Sequence, residues 1–400
     1  MQKKYIVLMG AELLNKGAQS MIFTVTNDLI KRYPEKQIVM LSPVDYNREG
    51  CDKDQYKFII EKHPELTTLF SLSGGLFKLA SKLLKVDFTE VNSTNELLES
   101  TYMILDISGF ALSSTSGVRR NLDYLLRIKV AKKFNVPMYV LPQSFGPFEY
   151  KKKYKFFMNT MIKNYLQYPK LIFAREKEGY DFLTRNYNLK NVKMENDIVL
   201  INKNILKNNI YKSIPESKIV DIKKDDRNVG IVPNIKNFIH GNQDEVIKLY
   251  KDIIGSLLNK GIKVYIVRHS VQDLKACRIL KELFSDNGKV VLLEDDFDSF
   301  QFNQLVENFD FLIASRYHSI IHSYKNFVPC IAIGWATKYH ELLSKFEQQK
   351  YIFDVRKKID SKKIIKALSN MIENHEDESK TIKEHLNKIQ RDDFFDFLDE

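Results

Sequence analysis

Cysteine is scarce here: Cys51, Cys277 and Cys330 are the only three in 400 residues, far apart and without a CxxC spacing. They can assemble neither a disulfide framework nor a structural zinc site, so the chain reads as a reduced, intracellular protein. Fifteen glycines and ten prolines are too few for a fibrous or low-complexity chain. Long apolar runs are missing as well. The longest, such as 328–336, falls well short of the roughly 20 residues needed to span a bilayer. Lys3 and Lys4 ahead of residues 5–9 imitate a leader, but Glu12 and Asn15-Lys16 interrupt it early and no A-x-A site follows. A buried first strand is expected there instead. HExxH, a His/Cys cluster and a DxD are not read in the sequence, so no metal is expected.

Positive charge, by contrast, is abundant: 62 Lys+Arg against 51 Asp+Glu leave +11 at pH 7. Such a balance suits nucleic acid, an anionic membrane face, or a substrate rich in phosphate and carboxylate. The lysines are mostly dispersed among acidic residues, and no zinc-finger spacing or RNP signature is present, so nucleic acid is not the expected partner. The densest run is Lys151, Lys152, Lys153 and Lys155, on a helical stretch that also carries Tyr154, Phe156 and Phe157. It reads as a solvated helix face or as a weak patch for an acidic membrane surface. An apolar fraction of 44% with 12% aromatics excludes a disordered chain. At roughly 150 residues per domain, the length suggests two domains or three.

Short apolar runs alternate with helical stretches throughout, the βαβ pattern of a parallel sheet. In the first half the expected strands are 5–9, 37–41, 102–107, 138–141 and 171–174, with helices such as 17–33 and 120–134 between them. From about 202 to 226 Asn and Lys dominate, Pro215 interrupts and periodicity disappears. A second series follows, with strands at 229–232, 263–267, 290–293, 311–314 and 330–333 and helices such as 243–260 and 274–285. The expected fold class is α/β, two Rossmann-like domains facing across a cleft, with C-terminal helices. The expected boundaries are 1–205, a linker at 206–226, 227–375, and a helical tail at 376–400 that ends acidic.

In such sheets ligands sit at the carboxyl ends of the strands, so candidates are sought there. After the first strand, Asn15-Lys16-Gly17-Ala18-Gln19-Ser20 opens a helix, as an anion or hydroxyl site or as an ordinary N-cap turn. Asp106 ends the third strand, before Ser108-Gly109-Phe110 and a Ser/Thr/Gly-rich loop. It either accepts a proton from a hydroxyl or caps the turn. Gln143 and Ser144, in Leu141-Pro142-Gln143-Ser144-Phe145-Gly146-Pro147, would face the same crevice or merely hold their loop. Arg175 stands between a strand and a helix, suited to bidentate capture of phosphate or carboxylate, or to a surface pair with Glu176 or Glu178.

The most informative segment is Phe311-Leu312-Ile313-Ala314-Ser315-Arg316-Tyr317-His318-Ser319. An apolar strand delivers Arg316 and His318 together to its carboxyl end, a fixed cationic fork beside a proton donor near neutral pH. Trp335 and Lys338 follow the next strand, and Lys338 is a further phosphate contact or an exposed helix-start lysine. His269, with Asp273 four residues on, ends another strand and is a second-rank candidate, while His322 reads as packing.

Ser315-Arg316-Tyr317-His318-Ser319-Ile320-Ile321-His322, with Val328-Pro329-Cys330-Ile331-Ala332-Ile333 and Lys338, resembles the C-terminal signature of the polysaccharide pyruvyl transferase family. The turn from Asn15 to Gln19, the Asp106 loop, residues 141–147, Ala174-Arg175-Glu176, Asn196-Asp197-Ile198 and Val229-Gly230-Ile231-Val232-Pro233-Asn234 fit the same family in order. The likeness covers residues 3–355. It implies a glycosyltransferase-B-like fold and transfer of pyruvate from phosphoenolpyruvate, without a cofactor, onto sugar hydroxyls as a cyclic ketal. By the same resemblance Arg316, the Tyr317 backbone and Arg175 would hold the donor and His318 would stand beside it. Lys338 and His269 complete the expected donor side. Asn15, Gly17, Ser108, Gly109, Gln143 and Ser144 form the expected acceptor side, and His318 and Asp106 are the expected catalytic pair. Many members carry a run of glycines where this chain has Ser108-Gly109-Phe110. The acceptor expected is a cell-surface polysaccharide or its lipid-linked oligosaccharide precursor, met in the cytoplasm with peripheral association at the inner face of the membrane. A nucleotide-sugar glycosyltransferase of the same fold is the alternative enzyme, and a basic binding module the non-enzymatic one.

Overall fold

The computed structural model describes residues 3–75, 86–216, 220, 222, 227–334, 337–356 and 359–399. Trp335, Glu400 and residues 217–219, 221 and 223–226 of the expected linker lie outside the described residues. The chain divides into two compact units: Met1–Leu13, Met21–Pro215 and Asp392–Glu400 form the first, Leu14–Ser20 and Glu216–Arg391 the second. These limits differ from the expected ones in three ways, the first being that residues 206–215 of the expected linker, with the helix Lys207–Ile210, belong to the first unit. The turn that opens the first helix, Lys16–Arg32, counts with the second unit, and the end of the chain counts with the first.

The first unit holds a sheet of β1 (Tyr5–Met9), β2 (Gln37–Leu41), β3 (Ile59–Glu61), β4 (Thr101–Asp106), β5 (Met138–Gln143), β6 (Leu171–Ala174) and β7 (Val192–Met194), in the order β3-β2-β1-β4-β5-β6-β7. The second holds β8 (Asn228–Val232), β9 (Lys263–Val267), β10 (Val290–Leu293), β11 (Phe311–Ala314), β12 (Cys330–Gly334) and β13 (Ile352–Asp354), in the order β10-β9-β8-β11-β12-β13. The pairings within both sheets are parallel. Strands buried on both faces need near-continuous apolar runs, and β5, β8, β11 and β12 are buried at every position.

The end of the chain is not one helical tail from 376. A single helix, Ser361–Ile389, is capped by the Asp360 side chain and buries Ile364, Leu368, Met371, Ile382 and Leu386. After it a 3-10 turn, Phe394–Leu398, packs in the first unit, where Phe394 stands 5.4 Å from Phe173 and Phe397 5.4 Å from Tyr139. The terminal acidic residues are used there as well: Arg32 pairs with Asp399 at 2.7 Å and with Asp396.

Each sheet reverses its strand order once, between β1 and β4 and between β8 and β11. Loops leaving neighbouring strands at such a point diverge and open a crevice at the carboxyl ends. Asn15 and Gly17 follow β1, Asp106, Ser108 and Gly109 end or follow β4, and Arg316, Tyr317 and His318 follow β11, whereas Gln143, Ser144, Arg175, His269 and Lys338 end or follow β5, β6, β9 and β12.

Candidate active site

In the second unit, β11 ends in a turn fixed from several sides. The Ser315 amide donates to the Val232 carbonyl at 2.9 Å, and the Ser315 carbonyl accepts from Asn234 Nδ2 and Tyr339 Oη, each at 3.1 Å. Its hydroxyl oxygen accepts from Asn237 Nδ2 at 3.0 Å and lies 2.8 Å from Tyr250 Oη. A buried polar turn held this way cannot drift, and it aims the next three residues.

Arg316 points its fork at the fully buried Asp273: Nε donates to Oδ2 at 2.8 Å and Nη2 to Oδ1 at 2.6 Å. Oδ1 also accepts from the Ile235 amide at 3.1 Å. The bidentate grip fixes the guanidinium plane and leaves Nη1 to present charge. Tyr317 is nearly buried, with its ring 5.5 Å from that of His318. Lys338 carries its ammonium 5.3 Å from the centre of the Tyr317 ring, which supports a cation without neutralising it.

His318 is half-buried, and its imidazole lies against Gly17. A β-carbon on residue 17 would sit 2.2 Å from Cγ and Nδ1 of the ring. The glycine expected as a ligand turn therefore serves close approach of the histidine. Asn15 takes the N-cap role: its Oδ1 accepts from the Gly17 amide at 3.0 Å and its carbonyl from the Gln19 amide at 2.8 Å.

His269 is buried, and neither of its ring nitrogens has a hydrogen-bond partner among the described residues. The ring stands at 88° to Phe302, 5.0 Å between centroids. Burial pushes its pKa well below the usual histidine range, and the charges of His322, Arg316, His318 and Lys16 push the same way. Burial and the positive groups around it thus both favour the neutral form of the His269 imidazole. Lys16 is itself buried and its pKa is lowered by that burial, partly offset by Asp296 at 2.5 Å. Asp296 also meets Arg268 at 3.2 Å. His322 is core, as expected, but wired: Nε2 lies 2.8 Å from Ser20 Oγ and Nδ1 3.2 Å from Asn303 Oδ1. Asp296-Phe297-Asp298 has a DxD spacing that the sequence reading passed over. Its second aspartate is committed to capping the helix Ser299–Val306.

In the first unit Asp106 is fully buried and occupied on both oxygens. Oδ1 accepts from the Ser108 amide at 3.1 Å and Gln143 Nε2 at 3.2 Å, while Oδ2 meets Arg127 at 3.2 Å. This is the turn-capping role, reinforced by an ion pair, rather than that of a base open to a substrate. It makes Asp106 and Gln143 positioning residues. Arg175 is also buried and serves as a hub: it pairs with Asp197 and donates from Nη2 to the Gly109 carbonyl at 2.8 Å and Ser144 Oγ at 2.9 Å. Its main partner is Asp197, not the neighbouring Glu176, which stands at 3.9 Å. Ser144 passes the chain on to Glu176 Oε1 at 2.8 Å.

Beside this hub is a cavity of about 150 Å³ at the carboxyl ends of β1, β2 and β4, lined by Gly10, Glu12, His63, Ser108, Asp123 and Arg127 among others. The Ser108 hydroxyl oxygen is buried without a hydrogen-bond partner among the described residues. Gly10, at φ +91°, makes room for it, since a β-carbon there would lie 2.0 Å away. His63 Nε2 is 3.2 Å from Asp123 Oδ1, whose other oxygen is 3.3 Å from Arg127 Nε. Burial alone would raise the Asp123 pKa, but Arg127 and then His63 hold it below the ordinary carboxylate range.

The structure thus groups Arg316, Tyr317, His318, Lys338 and His269 with Asn15 and Gly17 in the second unit. It groups Asp106, Ser108, Gly109, Gln143, Ser144 and Arg175 in the first. Sequence reasoning missed Asp296, His63, Asp123 and Arg127, each in a helix or loop with no motif read around it, and it named Lys16 and Ser20 only as part of the turn from Asn15. Among the described residues no three His, Cys, Asp or Glu side chains gather as metal ligands, and no helix is long and apolar enough to cross a membrane.

Two parallel α/β units with polar crevices at both switch points define the glycosyltransferase-B fold class. Solved structures of that architecture resemble it along nearly their whole length. A glycosyltransferase from Rickettsia africae shares 12% identity at a TM-score of 0.55, over 97% of this chain and 96% of that one. UGT71G1 of Medicago truncatula complexed with UDP-glucose shares 11% at 0.55, over 96% and 93%. The UDP-GlcNAc 2-epimerase of Methanocaldococcus jannaschii shares 11% at 0.52, over 92% of each chain. No curated protein matches the sequence. The polysaccharide pyruvyl transferase family does match, over residues 15–337, and the chain belongs to that family.

Proposed function

We propose that this transferase moves pyruvate from phosphoenolpyruvate onto two hydroxyls of a sugar in a cell-surface polysaccharide or its lipid-linked precursor, releasing phosphate. Phosphoenolpyruvate is nearly a trianion, and the observation that supports it best is the gathering of Arg316, His318 and Lys16 around the buried His269. Arg316, fixed by Asp273, and Lys338, on its aromatic support, offer charge to phosphate and carboxylate. His269 adds a donor without adding charge to a cluster already crowded with it. Transfer begins with a proton on the enol methylene, which leaves an oxocarbenium-like carbon for a sugar hydroxyl to attack. His318 suits that proton delivery, because a bound anion beside it favours the protonated ring. Asp106 and Gln143 hold the loop that carries Ser108 and Gly109 toward the acceptor, and Arg175 ties the same loop down from the other side. The chemistry needs no cofactor, and it belongs in the cytoplasm where phosphoenolpyruvate is available. For a lipid-linked acceptor it belongs at the inner face of the membrane.

The alternative is transfer from a nucleotide sugar, which the UDP-glucose complex of a structural neighbour keeps in view. Ligands that bind only the folded state raise its melting temperature in proportion to their occupancy. Phosphoenolpyruvate is expected to stabilise the protein and UDP-sugars are not. Incubation with phosphoenolpyruvate and a panel of free and lipid-linked glycans should then give pyruvylated product and one phosphate per transfer. Stabilisation by UDP-sugars with no response to phosphoenolpyruvate would overturn the assignment.

A further inference from the structure

The basic run noted in the sequence forms the helix Lys152–Tyr165, with Lys151 as its N-cap. It contains Lys152, Lys153, Lys155 and Lys163 and no acidic residue. Met158, Met161 and Ile162 are its buried positions. At about 100° per residue these three stand roughly 140° to 240° round the axis from Phe156. Phe156 therefore points straight away from the core, and it is 85% exposed, with Phe157 beside it at 43%. Lys152, Lys153 and Lys163 lie within roughly 60° of Phe156 on the same outer face, and all three are exposed.

We infer that this face is a docking surface for an anionic bilayer. A bare phenyl ring at the centre of a lysine ring costs free energy in water and gains it at the boundary between headgroups and acyl chains. The lysine stems can lie along that boundary while their ammonium groups stay with the phosphates. Nucleic acid fits less well. The helix carries no arginine for bidentate phosphate contact, and Phe156, 85% exposed, is not enclosed in a groove where bases could stack. The inference is independent of the donor and the acceptor.

The test is co-sedimentation of the full chain with vesicles of phosphatidylglycerol and phosphatidylcholine in equal parts, and with phosphatidylcholine alone. Binding is expected to the anionic vesicles only and to fall with salt. The triple variant K152E/K153E/K163E should lower the partition coefficient about tenfold or more, since each lysine near such a surface contributes separately. F156A should bind at low salt but lose several-fold near physiological ionic strength, where the ring must supply what screening removes. In F156W the new indole joins the single native Trp335, and its emission should shift to the blue with anionic vesicles alone. All these side chains are exposed, so melting temperatures should match wild type and loss of binding cannot be loss of fold. Equal binding to both vesicle types, or anionic binding untouched by the triple variant, would overturn the inference. Binding to a DNA duplex in place of vesicles, lost in the triple variant, would reassign the face to nucleic acid.

Discussion

The imidazole of His318 rests on the backbone of Gly17, so near that a β-carbon would lie 2.2 Å from the ring. One residue sits at the start of the first helix and the other, some 300 positions later, in the first turn of the helix Tyr317–Lys325 that follows β11, yet both belong to the same unit. Gly17→Ala must therefore push the ring aside. A displacement of about 1 Å in a reacting group costs about 100-fold in rate, and kcat for pyruvyl transfer is expected to fall by that order. Overpacking at one methyl costs about 1–3 kcal/mol, so the protein should still fold. Full activity in this variant would show that the ring has room to spare.

His318→Ala removes the proposed acid itself. General acid catalysis contributes about 10²–10⁴-fold, and loss of at least that much turnover is expected. Because the side chain is only half-buried, the melting temperature should stay close to wild type. Turnover within a few-fold of wild type would remove His318 from the mechanism.

The two arginines that look alike in sequence should separate on substitution. Arg316 presents a partly exposed fork held by one carboxylate, whereas Arg175 is 3% exposed and ties Asp197, Gly109 and Ser144 together. Arg316→Lys keeps the charge but loses the bidentate grip, so KM for phosphoenolpyruvate should rise more than tenfold with little change in stability. Arg175→Ala leaves Asp197 buried without its counter-charge, which costs about 3–5 kcal/mol. Urea unfolding of the two variants checks this. An Arg175→Ala protein as stable as wild type, with only KM altered, would return Arg175 to direct donor binding.

The contrast between these arginines also shows where the sequence was legible. Apolar runs gave β1, β2, β6, β9, β10 and β11 with their observed limits, because strands buried on both faces must be continuously apolar. The strands β3, β7 and β13 escaped notice, since three residues carry no readable period. The site was legible wherever a strand delivered its residues directly, as at Arg316 and His318. It was not legible where the partner came from a distant element. Nothing near Asp273 announces that it will grip Arg316, and nothing near Asn15-Lys16-Gly17 announces that the turn will lie under a histidine. Asp106 was ambiguous for the same reason: a carboxylate at a strand end looks identical whether Arg127 and Gln143 will fill it or a substrate will.

The last prediction concerns pH and rests on His269. Its folded-state pKa is depressed well below that of the unfolded chain, by burial first and by His322, Arg316, His318 and Lys16 after it. Between the two values the unfolded state binds a proton that the folded state refuses, so stability rises with pH there and is lost as pH falls. The loss should begin near the unfolded histidine value of about 6.5 and proceed at up to about 1.4 kcal/mol per pH unit from this group. His269→Asn keeps an amide of similar reach but no titrating proton, so its urea-unfolding free energy should fall less steeply than wild type between pH 6.5 and 5.5. Phosphoenolpyruvate adds a second reading. An anion seated among these cations opposes the charge that depresses His269, so saturating donor should shallow the wild-type slope and leave the variant nearly unchanged. Identical slopes for the two proteins, with and without donor, would mean that His269 is protonated in the folded state and does not serve as the neutral member of the cluster.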